Sequence, residues 1–170
     1  VVRHILAEFE RIPNCQLIIV GRKGVEKLRN VQPGMKTFVD LEEKGLYEVA
    51  VQLKDYLIDE IMNDRLGKVA VVYPWSKNFN LQKPRTVNLL PCDELLTKQA
   101  EFVDSIERVI EESDPVDIIG YLADMWVVCR LYEILHDTSI SEAAAQSQQL
   151  EASVQRMKKD KKGIAAAFAK

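Results

Sequence analysis

Apolar and polar positions alternate with different periods along the 170 residues of this chain. From Val2 to Ile12 the apolar residues are Val2, Ile5, Leu6, Phe9 and Ile12, the spacing of a helix with one wide apolar face, and Pro13-Asn14 ends it. Leu17-Ile18-Ile19-Val20 is an unbroken aliphatic run closed by Gly21. Such a run after a helix predicts a strand of a parallel sheet buried on both faces. Met35 to Leu41 alternates loosely and predicts a second strand. Helical spacing returns from Glu48 to Leu66 through Val49, Leu53, Tyr56, Leu57 and Ile61, and Lys68 to Tyr73 is the next buried strand. The order helix, strand, helix, strand predicts an α/β sheet with crossover helices.

Residues 76 to 85 are mostly polar, with a break at Lys83-Pro84, and Thr86 to Pro91 predicts a further short strand. A ten-residue link is too short for a crossover helix, so these two strands form a hairpin and the sheet is mixed, Rossmann-like in outline. Residues 95 to 113 read either as helix, through Phe102, Ile106, Val109 and Ile110, or as a segment ending in a short strand. Asp114-Pro115-Val116-Asp117 is a helix start: Asp114 caps free amides, Pro115 needs no amide partner, and Asp117 sits at the positive end of the dipole. This last helix runs through Ile118, Leu122, Met125, Cys129 and Tyr132, and Trp126, Val127, Leu131 and Leu135 widen its apolar face for packing on the domain.

Further on, Ile140, Ala143, Ser147, Leu150, Val154, Met157, Lys161, Ile164 and Phe168 are spaced alternately by three and four over four heptads. Their flanks are polar, so this narrow seam calls for one partner helix rather than a broad core. No uncommitted segment of the chain is long enough to supply it. Lys161 within the seam and Gly163 beside it weaken the pattern, and Ser139-Ile140-Ser141-Glu142 resembles a capping box, so a break near Thr138 is an alternative to one continuous rod.

Composition narrows the class. With 47% hydrophobic and 29% charged residues the chain is not a disordered tail, and no apolar run approaches the roughly 20 residues of a membrane-spanning helix. A net charge of −3 lacks the basic footprint of a nucleic-acid binder. Charge is unevenly placed: residues 151–170 carry six cations against two carboxylates, with Lys158 to Lys162 as the densest stretch. Cys15, Cys92 and Cys129 form no CxxC pair and stand among apolar neighbours, so they read as buried, reduced thiols. Neither end of the chain has the marks of a natural terminus, and the expectation is a fragment.

Candidate chemistry is sparse. Gly21-Arg22-Lys23-Gly24 follows a strand but matches neither GxGxxG nor GxxxxGK[ST], so it reads as a tight basic turn. His4 and His136 have no ligand partners at metal spacing, and Ser76, Ser105, Ser113 and Ser139 lie in no GxSxG elbow. Glu107, Glu111, Glu112, Asp114 and Asp117 form an acidic rim. The reading is therefore of a chain with no catalytic, cofactor or metal residues.

Several segments together resemble the gamma subunit of F-type ATP synthases. Leu17 to Gly24 resembles the family's strand and its Gly-x-Lys-Gly turn; Val71-Val72-Tyr73, Phe79-Asn80, Gln82-Lys83-Pro84 and Leu89-Leu90-Pro91 resemble its hairpin. Glu112-Ser113-Asp114-Pro115 resembles its entry to the final helix, and Ser141-Glu142 with Ala144-Ala145 resembles the Ser-Glu-x-Ala-Ala stretch. The series keeps the family's order and covers nearly the whole chain.

The resemblance implies residues 1–113 as an α/β foot and 114–170 as part of a shaft helix, half of an antiparallel coiled coil. The other half is the N-terminal helix of the full-length subunit. It reads residues 108 to 113 as a strand. It implies a non-catalytic rotor subunit without cofactors, peripheral to the cytoplasmic face of a bacterial or archaeal plasma membrane. Its partners are the alpha and beta subunits of the catalytic ring, the epsilon subunit and the membrane c-ring. Val109, Ile110, Glu111 and Glu112 map onto the c-ring-facing segment. Gln146 maps onto an arginine that contacts the catalytic ring, and a neutral amide cannot make the bidentate ionic contact of a guanidinium. The alternatives are a small α/β nucleotide-binding domain using Gly21 to Gly24, which nucleotide titration would expose, and a coiled-coil adaptor dimerising through Ile140 to Phe168.

Overall fold

A computed structural model describes residues 2–32, 34–39, 45–91 and 114–168. The first helix, α1 (Val2–Arg11), ends at the Pro13-Asn14 turn, where Asn14 takes φ 57°. Strand β1 (Ile18–Val20) pairs in parallel with β2 (Lys36–Phe38), Ile19 opposite Thr37, and α2 (Arg22–Leu28) lies between them in sequence. Only Ile19 of β1 is fully buried; Ile18 and Val20 are half-covered, so the double-sided burial expected of the aliphatic run is met at its centre alone. Asp40 and Leu41, expected to continue β2, lie outside the described residues.

Two glycines shape the turn after β1. Gly21 adopts φ 94°, its amide donates to the Phe38 carbonyl at 2.8 Å, and its own carbonyl receives the amides of Gly24 and Val25. A Cβ on Gly24 would stand 2.9 Å from Cγ2 of Ile19, a stiff β-branched side chain. Helix propensity alone would favour alanine there by about 1 kcal/mol, but overpacking costs about 1–3 kcal/mol. Gly24→Ala is therefore expected to lower unfolding stability by about 1–2 kcal/mol, read from the urea midpoint; an unchanged midpoint would mean that α2 does not press on β1.

Helix α3 (Leu46–Met62) buries Val49, Ala50, Leu53 and Leu57 on one face. It ends where Asn63 and Asp64 turn the chain, Asp64 at φ 55°. The Arg65 guanidinium then folds back on Glu60 at 2.8 Å and Asp59 at 3.1 Å. Its hydrogen bond holds the Glu60 carboxyl below the ordinary range and raises Arg65 in turn.

Strands β3 (Val69–Asn78) and β4 (Leu81–Leu90) form an antiparallel hairpin, as expected, but a longer one. The polar link assigned to residues 76–85 is itself ribbon, turning at Phe79-Asn80. A two-stranded ribbon that reaches past the core has little apolar surface to cover, so its outer half carries no alternating signal. Pro74 and Pro84 face each other, which gathers the missing amide donors at one rung instead of breaking the ladder twice. Among the described residues, parallel and antiparallel pairing are divided between two two-stranded ladders.

The last helix, α4 (Pro115–Phe168), is 54 residues long, about 80 Å at 1.5 Å per residue. It closes the core. Val127, Val128 and Leu131 meet the buried face of α3 and Leu89 of β4, while Ile134 packs with Tyr73 and Val87 of the hairpin. Lys54 of α3 reaches Asp124 at 3.6 Å and also pairs with Asp55, whose hydrogen bond raises its pKa.

Candidate functional site

Helix α4 begins as its sequence dictates. Asp114 Oδ1 accepts the amide of Val116 at 2.8 Å, the Asp114 carbonyl accepts that of Ile118 at 3.1 Å, and Pro115 occupies the first helical position. No break occurs near Thr138. Its hydroxyl donates to the Ile134 carbonyl within the helix, and Ser141, the third residue of the apparent capping box, is buried in mid-helix.

The helix has two sides. Val127, Leu131, Ile134, Thr138, Ser141, Ala145 and Gln148 follow one another by four and three on the side facing α3 and the hairpin. At 100° per residue the opposite side carries Ile118, Leu122, Met125, Cys129, Tyr132, His136, Ile140, Ala143, Ser147, Leu150, Val154, Met157, Ile164 and Phe168, and every one of these is exposed. Leu131 is 4% accessible; Leu150 is 68% and Phe168 88%. The expected packing of the first half is thus met by Val127 and Leu131, with Trp126 and Leu135 half-buried, whereas Ile118 to Tyr132 face outward and extend the seam toward the start of the helix. The only departure from alternate steps is Tyr132, His136, Ile140, spaced four and four, a stutter that locally straightens a coiled coil. There Tyr47 of α3 stands edge-on to Tyr132, ring centroids 6.4 Å apart.

Residues 151 to 164 are exposed on all sides, so the helix beyond Gln148 projects free of the body. Two polar contacts hold it at the point of departure: Ser76 Oγ donates to Ser141 Oγ at 3.0 Å, and the Gln148 side-chain amide donates to the carbonyl of Phe79. Neither was expected from the sequence. The available signal was the phase: Ser141 and Gln148 continue the series of Val127, Leu131 and Ile134.

Other expectations fall as follows. Gln146 is exposed, and so are Arg156, Lys158, Lys159, Lys161 and Lys162. Val109, Ile110, Glu111 and Glu112 lie outside the described residues, as do Cys92 and most of the acidic rim. The buried-thiol expectation is corrected at two positions: Cys129 is exposed on the stripe, because apolar neighbours in sequence on a one-sided helix do not imply a covered side chain, and Cys15, in the connection before β1, is only half-buried. His4 shares a hydrogen bond with the Thr86 hydroxyl at 3.0 Å, tying α1 to β4. Among the described residues, no three His, Cys, Asp or Glu side chains gather as a metal site, and no helix is long and apolar enough to cross a membrane.

Two solved structures share the fold. One chain in the structure of the central stalk and c-ring of the Tetrahymena thermophila mitochondrial ATP synthase superposes with a TM-score of 0.69 over 90% of this chain and 67% of that one, at 18% identity. One chain in the structure of the rotor of the Euglena gracilis mitochondrial ATP synthase does so with 0.61 over 92% and 62%, at 14% identity. In sequence, the chain is 28% identical over 154 residues to the ATP synthase gamma chain of Synechococcus sp. (strain JA-2-3B'a(2-13)), covering 76% of this chain and 49% of that protein. It is 27% identical over 156 residues to that of Picosynechococcus sp. (strain ATCC 27264 / PCC 7002 / PR-6), covering 78% and 50%. The chain therefore spans about half the length of the curated relatives it matches. A family model described as ATP synthase matches residues 1–164, and the chain belongs to this ATP synthase gamma family.

Proposed function

We propose that this chain is the α/β foot and part of the shaft of a central-stalk gamma subunit. In this role it couples ion flow through a membrane c-ring to ATP synthesis or hydrolysis by rotation. The observation that carries the reading is the bare apolar stripe running the length of an uninterrupted 54-residue helix, opposite the side that packs on the base. A single helix does not keep so many large apolar side chains in water without a use for them. The occupant is the N-terminal helix of the same full-length subunit, paired antiparallel, and curated relatives of twice this span have the length to supply it.

Residues 1–113 form the foot and the helix from 114 onward the shaft. The foot meets the c-ring through Val109 to Glu112 and holds the epsilon subunit; the shaft turns inside the ring of alpha and beta subunits, Gln146 facing that ring. Torque passes by packing and charge, so the subunit performs no bond chemistry and needs no cofactor. It works as a peripheral subunit on the cytoplasmic face of the plasma membrane. Because Gln146 is neutral, the exposed cations from Lys158 to Lys162 take over ionic contact with the ring from three to four turns further along.

The test is Glu112→Ala in the assembled, membrane-bound complex. Ion-driven ATP synthesis is expected to fall several-fold while the variant subunit assembles and the catalytic ring still hydrolyses ATP. Undiminished synthesis would remove the assignment of this segment to the c-ring contact.

A further inference from the structure

The hairpin tip bonds the helix at two points: Ser76 of β3 reaches Ser141, and Phe79 in the turn reaches Gln148, seven residues and about 10.5 Å further along the helix. Ser141 is 2% accessible, although the only buried neighbour further along the helix is the small Ala144. Small side chains let the strand approach closely, and the buried hydroxyl pair adds what an apolar contact lacks: a fixed direction. Two directional bonds on one side of a helix oppose both sliding along its axis and rotation about it. A third tie, Lys23 to Glu142 at 3.7 Å, joins the turn after β1 to the same segment. Past Gln148 every helix residue whose side chain is described is exposed.

We propose that the β3–β4 hairpin is a torque arm clamped to the shaft, with Ser141 and Gln148 as the positioning residues that set the shaft's angle relative to the foot. Rotation of the foot reaches the helix through the hairpin as well as along the helix's own backbone. The clamp grips the back of the helix where Ala143 and Ser147 face outward, so it also fixes the direction in which the stripe leaves the body. The torque role rests on the rotor reading; the clamp itself does not.

The experiment pairs two measurements on Ser141→Ala/Gln148→Glu, in which glutamate keeps the shape of glutamine but loses the donor. In the 170-residue chain, amide exchange from Glu142 to Glu151 is expected to quicken about tenfold, as two lost neutral hydrogen bonds imply, while Val127 to Leu135 stays within twofold. Unchanged exchange from Glu142 to Glu151 would overturn the clamp. In the assembled complex, ions pumped per ATP hydrolysed are expected to fall at least twofold with hydrolysis retained, and Gln148→Asn alone to fall between. Faster exchange with unaltered pumping per ATP would overturn the torque role. A native subunit that fails to assemble with catalytic subunits at all would strike the rotor reading and leave the clamp to be judged by exchange.

Discussion

In a full-length parent carrying the proposed N-terminal helix, amide exchange across Ile140 to Phe168 is expected to be at least about a hundredfold slower than in the 170-residue chain. Ile140, Leu150, Val154, Met157, Ile164 and Phe168 are all substantially exposed here. Full burial of such a side chain stabilises by about 1.5–3 kcal/mol, and even half of that over six positions exceeds the ~3 kcal/mol that a hundredfold represents. Without the partner, residues 149 to 168 are a lone extension held by backbone propensity, lacking the tertiary packing that supplies most of a helix's stability in proteins. Hydrogen exchange with mass detection on both lengths of protein makes the comparison. Equal rates would mean that the stripe is not a pairing surface within the subunit, and light scattering would then ask whether two copies pair instead.

Truncating two leucines of the same helix should have unequal consequences in the 170-residue chain. Leu131→Ala removes a side chain packed among Val127, Val128, α3 and Leu89, and is expected to cost about 2–5 kcal/mol in chemical unfolding of the 170-residue chain. Leu150→Ala removes a side chain that is mostly in water, and is expected to change that stability by no more than about 0.5 kcal/mol. In the full-length subunit the second substitution should become costly too. Similar losses at both positions in the shorter chain would contradict the division of the helix into a packed and a bare side.

Much of this architecture was written locally. The cap at Asp114, the turn at Pro13-Asn14 and the two-glycine turn after β1 all follow from residues within a few positions of one another. The heptad seam was legible for the same reason: a period of three and four states that one side of the helix is apolar. The hairpin's true length was not legible, because its outer rungs meet polar partners or water and leave no apolar alternation to read. The rod's continuity past Thr138 was also open. Ser139 to Glu142 satisfies the chemistry of a cap, and only the burial of Ser141 against Ser76 selects the helical alternative.

The sequence by itself determined that a helix starts at Asp114 and that the stretch beyond it is apolar on a narrow line. It could not say which of the two apolar phases, Val127-Leu131-Ile134 or Met125-Cys129-Tyr132, turns toward the body, since both have the same period and differ only in rotation about the helix axis. That choice was settled by the shape of the surface α4 lies on. Val49, Leu53, Leu57 and Leu89 form one continuous apolar floor against which the first phase packs, and that phase continues into Ser141 and Gln148, which the hairpin tip bonds. Period is a property of the chain, whereas rotational phase depends on contacts between residues dozens of positions apart.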